Sequence, residues 1–204
     1  MFITLEGSEG SGKTSQIPAL ADALRGAGYA VLTTREPGGT PIGDQIRNIL
    51  MNFKNTDMHP RTEILLFQAA RAQHVERIIR PALAEGKVVV CDRYADSTMA
   101  YQGYGYQSDL NVLRTLLDFA TGGLRPDLTL LFDVDVEVGL RRRQASGGEY
   151  NRMDAFQLDF YQRVRRGYLE LAAADPARWV VLDASLSKAE VRENMLRAVR
   201  ARLQ

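Results

Sequence analysis

Five short apolar runs recur along the chain: Phe2–Leu5, Ala30–Thr33, Val88–Cys91, Leu128–Phe132 and Trp179–Leu182. They are apolar at neighbouring as well as alternate positions, which suits strands covered on both faces, as parallel strands are. Between the runs, apolar residues move to helical spacing with charged residues interposed. That pattern predicts helices near 13–26, 41–51, 62–84, 95–120, 136–145, 154–174 and 187–203. Strand–helix alternation predicts a doubly wound α/β sheet with helices on both faces. No repeat or linker interrupts it, so a single domain over residues 1–204 is expected.

The turn after the first run carries chemistry. Residues 7–14 read Gly7-Ser8-Glu9-Gly10-Ser11-Gly12-Lys13-Thr14, a complete G-x-x-x-x-G-K-[ST] phosphate loop between a strand and a helix. Glycines let the backbone fold tightly around an anion. The backbone N–H groups and the helix N-terminus then face the phosphates. Lys13 is expected to reach the β/γ-phosphates and Thr14 to ligate Mg²⁺.

Charge adds little, with 26 Lys+Arg against 25 Asp+Glu, so nothing global points to nucleic acid or an anionic membrane. The one cysteine, Cys91, lies in an apolar run and leaves no cysteine metal site or disulfide to expect. The chain opens directly into its first strand and has no apolar run near 18 residues, so a soluble cytoplasmic protein is expected.

Further candidates follow other strands. Asp92-Arg93-Tyr94 closes the third run, where ligands gather in parallel sheets. There a carboxylate can hold Mg²⁺ through water and an arginine can clamp a phosphate, although a strand-end ion pair fits the same residues. Asp133, ending the fourth run, reads as a structural carboxylate. Arg35-Glu36-Pro37-Gly38-Gly39-Thr40 reads as a tight turn with Thr40 capping the next helix. Phe67 and Arg71 share a helix face and could stack a nucleobase and bond its edge, or Phe67 could belong to the core. Ala145-Ser146-Gly147-Gly148-Glu149, between Arg141-Arg142-Arg143 and Arg152, reads as a lid near 141–153 whose arginines could neutralise transferring phosphates. His59 and His74 have no partner at a suggestive spacing and receive no chemistry.

A phosphate loop serves kinases, switch GTPases and motors alike. D-x-x-G and N-K-x-D are both absent, which argues against a switch GTPase. Glu9 inside the loop is costly beside phosphates unless it faces another ligand's hydroxyls, which suggests a second substrate at the loop's edge. Kinases for other nucleoside monophosphates or small alcohols, and a regulatory ATPase, remain alternatives on the residues alone.

In order and spacing, Glu9 within the loop, Arg35–Thr40, Phe67-Gln68-Ala69-Ala70-Arg71, Asp92-Arg93-Tyr94 with Ser97-Thr98-Met99-Ala100-Tyr101-Gln102-Gly103, and the arginine lid resemble bacterial thymidylate kinase over nearly the whole chain. The resemblance implies the phosphate-loop nucleoside monophosphate kinase fold, with a five-stranded parallel sheet flanked by helices, and a homodimer. It implies transfer of the γ-phosphoryl group of Mg·ATP to dTMP. ATP would bind on Gly7, Ser8, Glu9, Gly10, Ser11, Gly12, Lys13 and Thr14. Glu9 would bind the dTMP 3′-hydroxyl, Phe67 would stack on thymine, and Arg71 would donate to a thymine carbonyl. Thr98 would reach the base edge, and Tyr101 would fill the place of a 2′-hydroxyl. Arg47 and Arg93 would hold the dTMP phosphate, with Asp92 and Thr14 near Mg²⁺. The loop carries no Arg or Lys at Ser8, Glu9, Gly10 or Ser11, which in this family goes with a catalytic arginine from the lid. Arg142, Arg143 and Arg152 are the candidates beside Lys13 and Arg93. Ala145, Ser146, Gly147 and Gly148 stand where related lids often carry further basic residues.

Overall fold

A computed structural model describes residues 1–145, 152 and 156–203. Five strands, β1 (Phe2–Glu6), β2 (Val31–Arg35), β3 (Val88–Asp92), β4 (Leu128–Asp133) and β5 (Trp179–Asp183), form one parallel sheet in the order β2-β3-β1-β4-β5. Helices α1 (Ile17–Gly26), α2 (Pro41–Met51), α3 (Pro60–His74) and α4 (Arg80–Ala84) precede β3. Helices α5 (Ala95–Thr98), α6 (Leu110–Thr121), α7 (Val136–Ala145), α8 (Leu158–Ala174) and α9 (Lys188–Leu203) follow it.

The apolar runs are apolar throughout because the sheet has a helix layer on each face. Ile3, Leu5, Val88, Val90, Leu128 and Leu130 pack against Leu20 and Leu24 of α1 and Val191, Met195 and Val199 of α9. The alternate set turns the other way. Phe2, Val89 and Cys91 meet Val75, Ile79 and Ala82, while Leu131 and Trp179 meet Phe160, Tyr161, Val164 and Tyr168 of α8. Burying each such Leu, Ile or Phe side chain contributes roughly 1.5–3 kcal/mol.

Every strand runs past its apolar run into a charged residue: Glu6, Arg35, Asp92, Asp133 and Asp183. The backbone ladder continues there, but the side chains have reached the edge where ligands sit in this fold. Apolarity alone therefore sets the boundary too early. The helix expected near 95–120 is also divided. A π-helical turn, Met99–Gly105, follows α5, and the chain leaves helical conformation before Asp109, which caps α6 through Asn111 N at 2.8 Å. Helix 62–84 is likewise α3 and α4 joined by a π-helical turn, Val75–Ile79. Single π turns of this kind are frequent at functional sites. No helix among the described residues is long and apolar enough to cross a membrane.

Candidate active site

The phosphate loop leaves the central strand at Glu6 and turns on glycines. Gly12, at φ 84°, precedes a 3₁₀ turn, Lys13–Gln16, that feeds α1. The free N–H groups of that turn face the loop's concavity. Gly10, at φ 69°, touches α7 so closely that a Cβ there would lie 1.8 Å from Gly139 O, and a Cβ on Gly139 would lie 2.5 Å from Glu9 O. Two glycines thus pin the first turn of α7 onto the phosphate loop.

Lys13 is 6% exposed and donates to Ser8 O at 3.3 Å. Burial, reinforced by Arg93, lowers its pKa below the ordinary lysine value, against the pull of Glu9 and Asp92. Thr14 Oγ1 donates to Asp92 Oδ2 at 2.6 Å. The other oxygen, Asp92 Oδ1, is buried with no hydrogen-bond partner among the described residues. An unpaired buried acceptor costs about 1–3 kcal/mol. A hydrated hard cation would satisfy it, and a hydroxyl beside a carboxylate is a donor set of that kind.

Arg93 stands between this corner and the cavity in the left-handed conformation, φ 66°. Its Nη2 donates to Glu9 Oε1 at 2.6 Å and to Tyr101 Oη at 3.1 Å, and its Nη1 to Ser97 Oγ at 3.3 Å and Tyr168 Oη at 3.2 Å. Burial works against the ionised form of Glu9, but Arg93 and Lys13 hold its carboxyl below the ordinary value. Beneath Arg93 lies Glu6, wholly buried, accepting from Tyr94 N, Ser97 Oγ and Tyr168 Oη at 2.6–2.9 Å. Desolvation, with Asp96 adding to it, pushes Glu6 up to about 7. Glu6 escaped the sequence reading because one acidic residue ending an apolar run has no signature; only the fold places it under Arg93.

Glu9, Lys13, Thr14, Asp92 and Arg93 form one end of a cavity of about 300 Å³. Phe67, Arg71, Thr98 and Tyr101 border the same cavity, as do Arg47, Arg143 and Gln102. Arg71, only 2% exposed, is held on every side. Nε donates to Glu36 Oε2 at 2.8 Å, Nη1 to Gln68 Oε1 at 2.9 Å and Thr98 Oγ1 at 3.0 Å, and Nη2 to Tyr94 O at 3.1 Å. Arg47 Nη1 donates to Pro37 O at 3.0 Å, so the Arg35–Thr40 turn carries it, and Thr40 caps α2 by accepting from Gly43 N at 3.0 Å. Asp133 accepts both arms of Arg165, at 2.7 and 2.9 Å, which is a structural role.

The arginines around the expected lid point to different places. Arg143 lies one helical turn beyond Gly139 and borders the cavity. Arg142 donates to Ala184 O at 2.7 Å and Ser185 O at 3.4 Å. Arg152 is buried, bonded to Leu50 O at 2.9 Å and paired with Glu63, and does not border the cavity. Glu63 also accepts from Gln102 and Tyr106. Ser146, Gly147, Gly148 and Glu149 lie outside the described residues.

A family model described as thymidylate kinase matches residues 5–195. The chain belongs to the thymidylate kinase family. A thymidylate kinase of Roseiflexus sp. (strain RS-1) is 51% identical over 198 residues, covering 92% of this chain and 88% of the relative. One from Desulfosudis oleivorans is 50% identical, covering 98% and 96%. The solved thymidylate kinase of Ehrlichia chaffeensis superposes with a TM-score of 0.78 at 36% identity, covering 98% of each chain. The five-stranded parallel sheet with flanking helices is thus that of a phosphate-loop nucleoside monophosphate kinase.

Proposed function

We propose that the chain, a single thymidylate kinase-like domain with a lid near 141–153, phosphorylates dTMP to dTDP with Mg·ATP, and that the residues bordering one cavity divide the work. The supporting observation is that the phosphate loop and the Phe67–Arg71 face meet in a single cavity, with Arg93 and Glu9 between them. Lys13 and the loop backbone hold the ATP phosphates. Arg93 and Arg47 hold the acceptor phosphate, while Phe67 stacks on thymine and Arg71 and Thr98 meet its edge. Glu9 accepts from the 3′-hydroxyl. Tyr101, whose hydroxyl lies 3.2 Å from Glu9 Oε1, closes the place of a 2′-hydroxyl, and burying that hydroxyl unpartnered is costly. Mg²⁺, held through Thr14 and Asp92, would neutralise charge developing between the β- and γ-phosphates. The chain's own part is to align the acceptor phosphate with the γ-phosphate and to exclude water.

A coupled assay over a panel of nucleoside monophosphates tests this: ADP release should require dTMP. Release independent of acceptor would mark a regulatory ATPase, and preference for another monophosphate would replace the acceptor. In the same assay Arg71→Ala should cost about 1–3 kcal/mol in kcat/KM for dTMP, with KM for ATP little changed. A fall in ATP affinity with intact dTMP kinetics would interchange the two subsites.

The working protein is a cytoplasmic homodimer. Val112 and Phe119 lie seven residues apart on one face of α6, 56% and 88% exposed, and Leu65 of the adjoining α3 is 56% exposed. Apolar exposure gathered on two packed helices suits a self-association surface. Sedimentation equilibrium should return a dimer for the native chain and a monomer for Phe119→Asp; a native monomer would remove this assignment.

A further inference from the structure

The Arg71 guanidinium is oriented by a buried relay in which Glu36 borders the cavity and His74, behind it, does not. Glu36 uses one carboxylate oxygen for Arg71 Nε, at 2.8 Å, and the other for His74 Nδ1, at 3.0 Å. The carboxylate accepts, so Nδ1 carries the hydrogen. His74 Nε2 meets Thr34 Oγ1 of β2 at 2.7 Å. His74 is 0% exposed and Glu36 5% exposed. A Cβ on Gly39 would lie 2.8 Å from the His74 ring, so the Arg35–Thr40 turn is packed directly on it. His74 therefore joins three pieces, the end of β2, the turn and the end of α3, at the point where the π-helical turn begins.

We propose that His74 is a positioning residue of the acceptor pocket, acting through Glu36 to hold the Arg71 guanidinium against the base edge. The proposal rests on the reading of Arg71 as a base-contacting residue. With both oxygens occupied, the Glu36 carboxylate cannot rotate, and the planar fork of Arg71 is fixed at its Nε corner. Without His74, Glu36 keeps Arg71 but is free to swing, and the guanidinium loses its fixed aim. The cost falls on binding the base and leaves phosphoryl transfer alone, since neither residue touches the phosphate loop.

The test is steady-state kinetics on His74→Leu, His74→Asn, His74→Gln, Arg71→Ala and the double variant Arg71→Ala/His74→Leu. His74→Leu removes both ring contacts at similar bulk. It should raise KM for dTMP about 10-fold, as expected when a buried charged acceptor loses a donor. KM for ATP and kcat at saturating dTMP should stay near wild type. His74→Asn, whose amide N–H can take the place of Nδ1–H, should restore KM for dTMP; His74→Gln, which reaches only toward Nε2, should not. In the double variant the leucine should add nothing to Arg71→Ala, because coupled residues are not additive. An unchanged KM for dTMP in His74→Leu overturns the proposal. So do equal losses for both substrates, or effects that multiply in the double variant. Should His74→Leu not fold, equal KM values for His74→Asn and His74→Gln overturn it. If Arg71→Ala leaves KM for dTMP unchanged, the reading of Arg71 has failed; if Arg71→Ala raises it and His74→Leu does not, only the relay has.

Discussion

Lys13→Ala is expected to fold normally and to lose roughly 10²-fold or more in kcat, about 3 kcal/mol of transition-state stabilisation. Phosphoryl transfer leaves a protein little covalent chemistry, so rate comes from positioning and from charge set where the γ-phosphoryl oxygens become more negative. Lys13 is the cation at the base of the phosphate loop, 6% exposed, with Glu9, Asp92 and Arg93 around it. Its one hydrogen bond among the described residues is a long one to Ser8 O, 3.3 Å, which an incoming phosphate oxygen can replace. Removing the ammonium deletes a charge that solvent cannot restore at this depth, and it leaves Glu9 paired with Arg93 from the end of β3. The fold should survive because the backbone turn rests on Gly7, Gly10 and Gly12 and on contact with α7 rather than on the lysine. Turnover near wild type in a folded variant, with circular dichroism and melting unchanged, would remove the phosphate-loop assignment.

Strands and the phosphate loop were legible because each is written locally. Apolar runs between helix layers have one reading, and Gly-x-x-x-x-Gly-Lys-Thr after a strand has nearly one. Legibility failed wherever a residue draws its role from something distant in sequence. His74 meets Glu36 across 38 residues and Thr34 across 40, so no spacing rule pairs them. Glu6 meets Tyr168 across 162 residues, and its raised pKa of about 7 is a property of the sheet edge closing over it. The division of the 95–120 helix falls at Gly103 and Gly105, which the helical spacing runs straight through. Both are tight against side chains, Leu110 and Phe160, so a packing demand that hydrophobic spacing does not reveal bends the chain there. Glu9, Phe67, Arg71, Asp92, Arg93, Thr98 and Tyr101, quoted for the family resemblance, border one cavity; their supporting partners Glu6 and His74 were not legible, because the motif does not name them.

The loop has no cation at Ser8, Glu9, Gly10 or Ser11, so a second positive charge must reach the γ-phosphoryl from outside it. The sequence favours Arg152 and Arg143 over Arg142 without ranking those two, and the surroundings separate all three. Arg142 is committed to two backbone carbonyls beside the end of β5. Arg142→Ala should therefore change kcat little. Arg143 sits one turn from Gly139, the residue that touches Glu9 O, and borders the cavity with Lys13. Arg152 pairs with buried Glu63 and could act only by leaving it. An arginine used mainly in the transition state lowers kcat far more than it raises KM. Single-turnover rates should then show a loss of at least about 10²-fold in Arg143→Ala or Arg152→Ala, with modest KM change. A loss confined to Arg143→Ala means the charge is delivered from α7, already pinned to the loop. A loss confined to Arg152→Ala means the Glu63 pair opens during turnover, and Glu63→Gln should then alter the rate of that opening. Wild-type transfer by both variants would sink the lid role and leave Arg93, already bonded to Glu9 at 2.6 Å, as the cation that meets the transferring group.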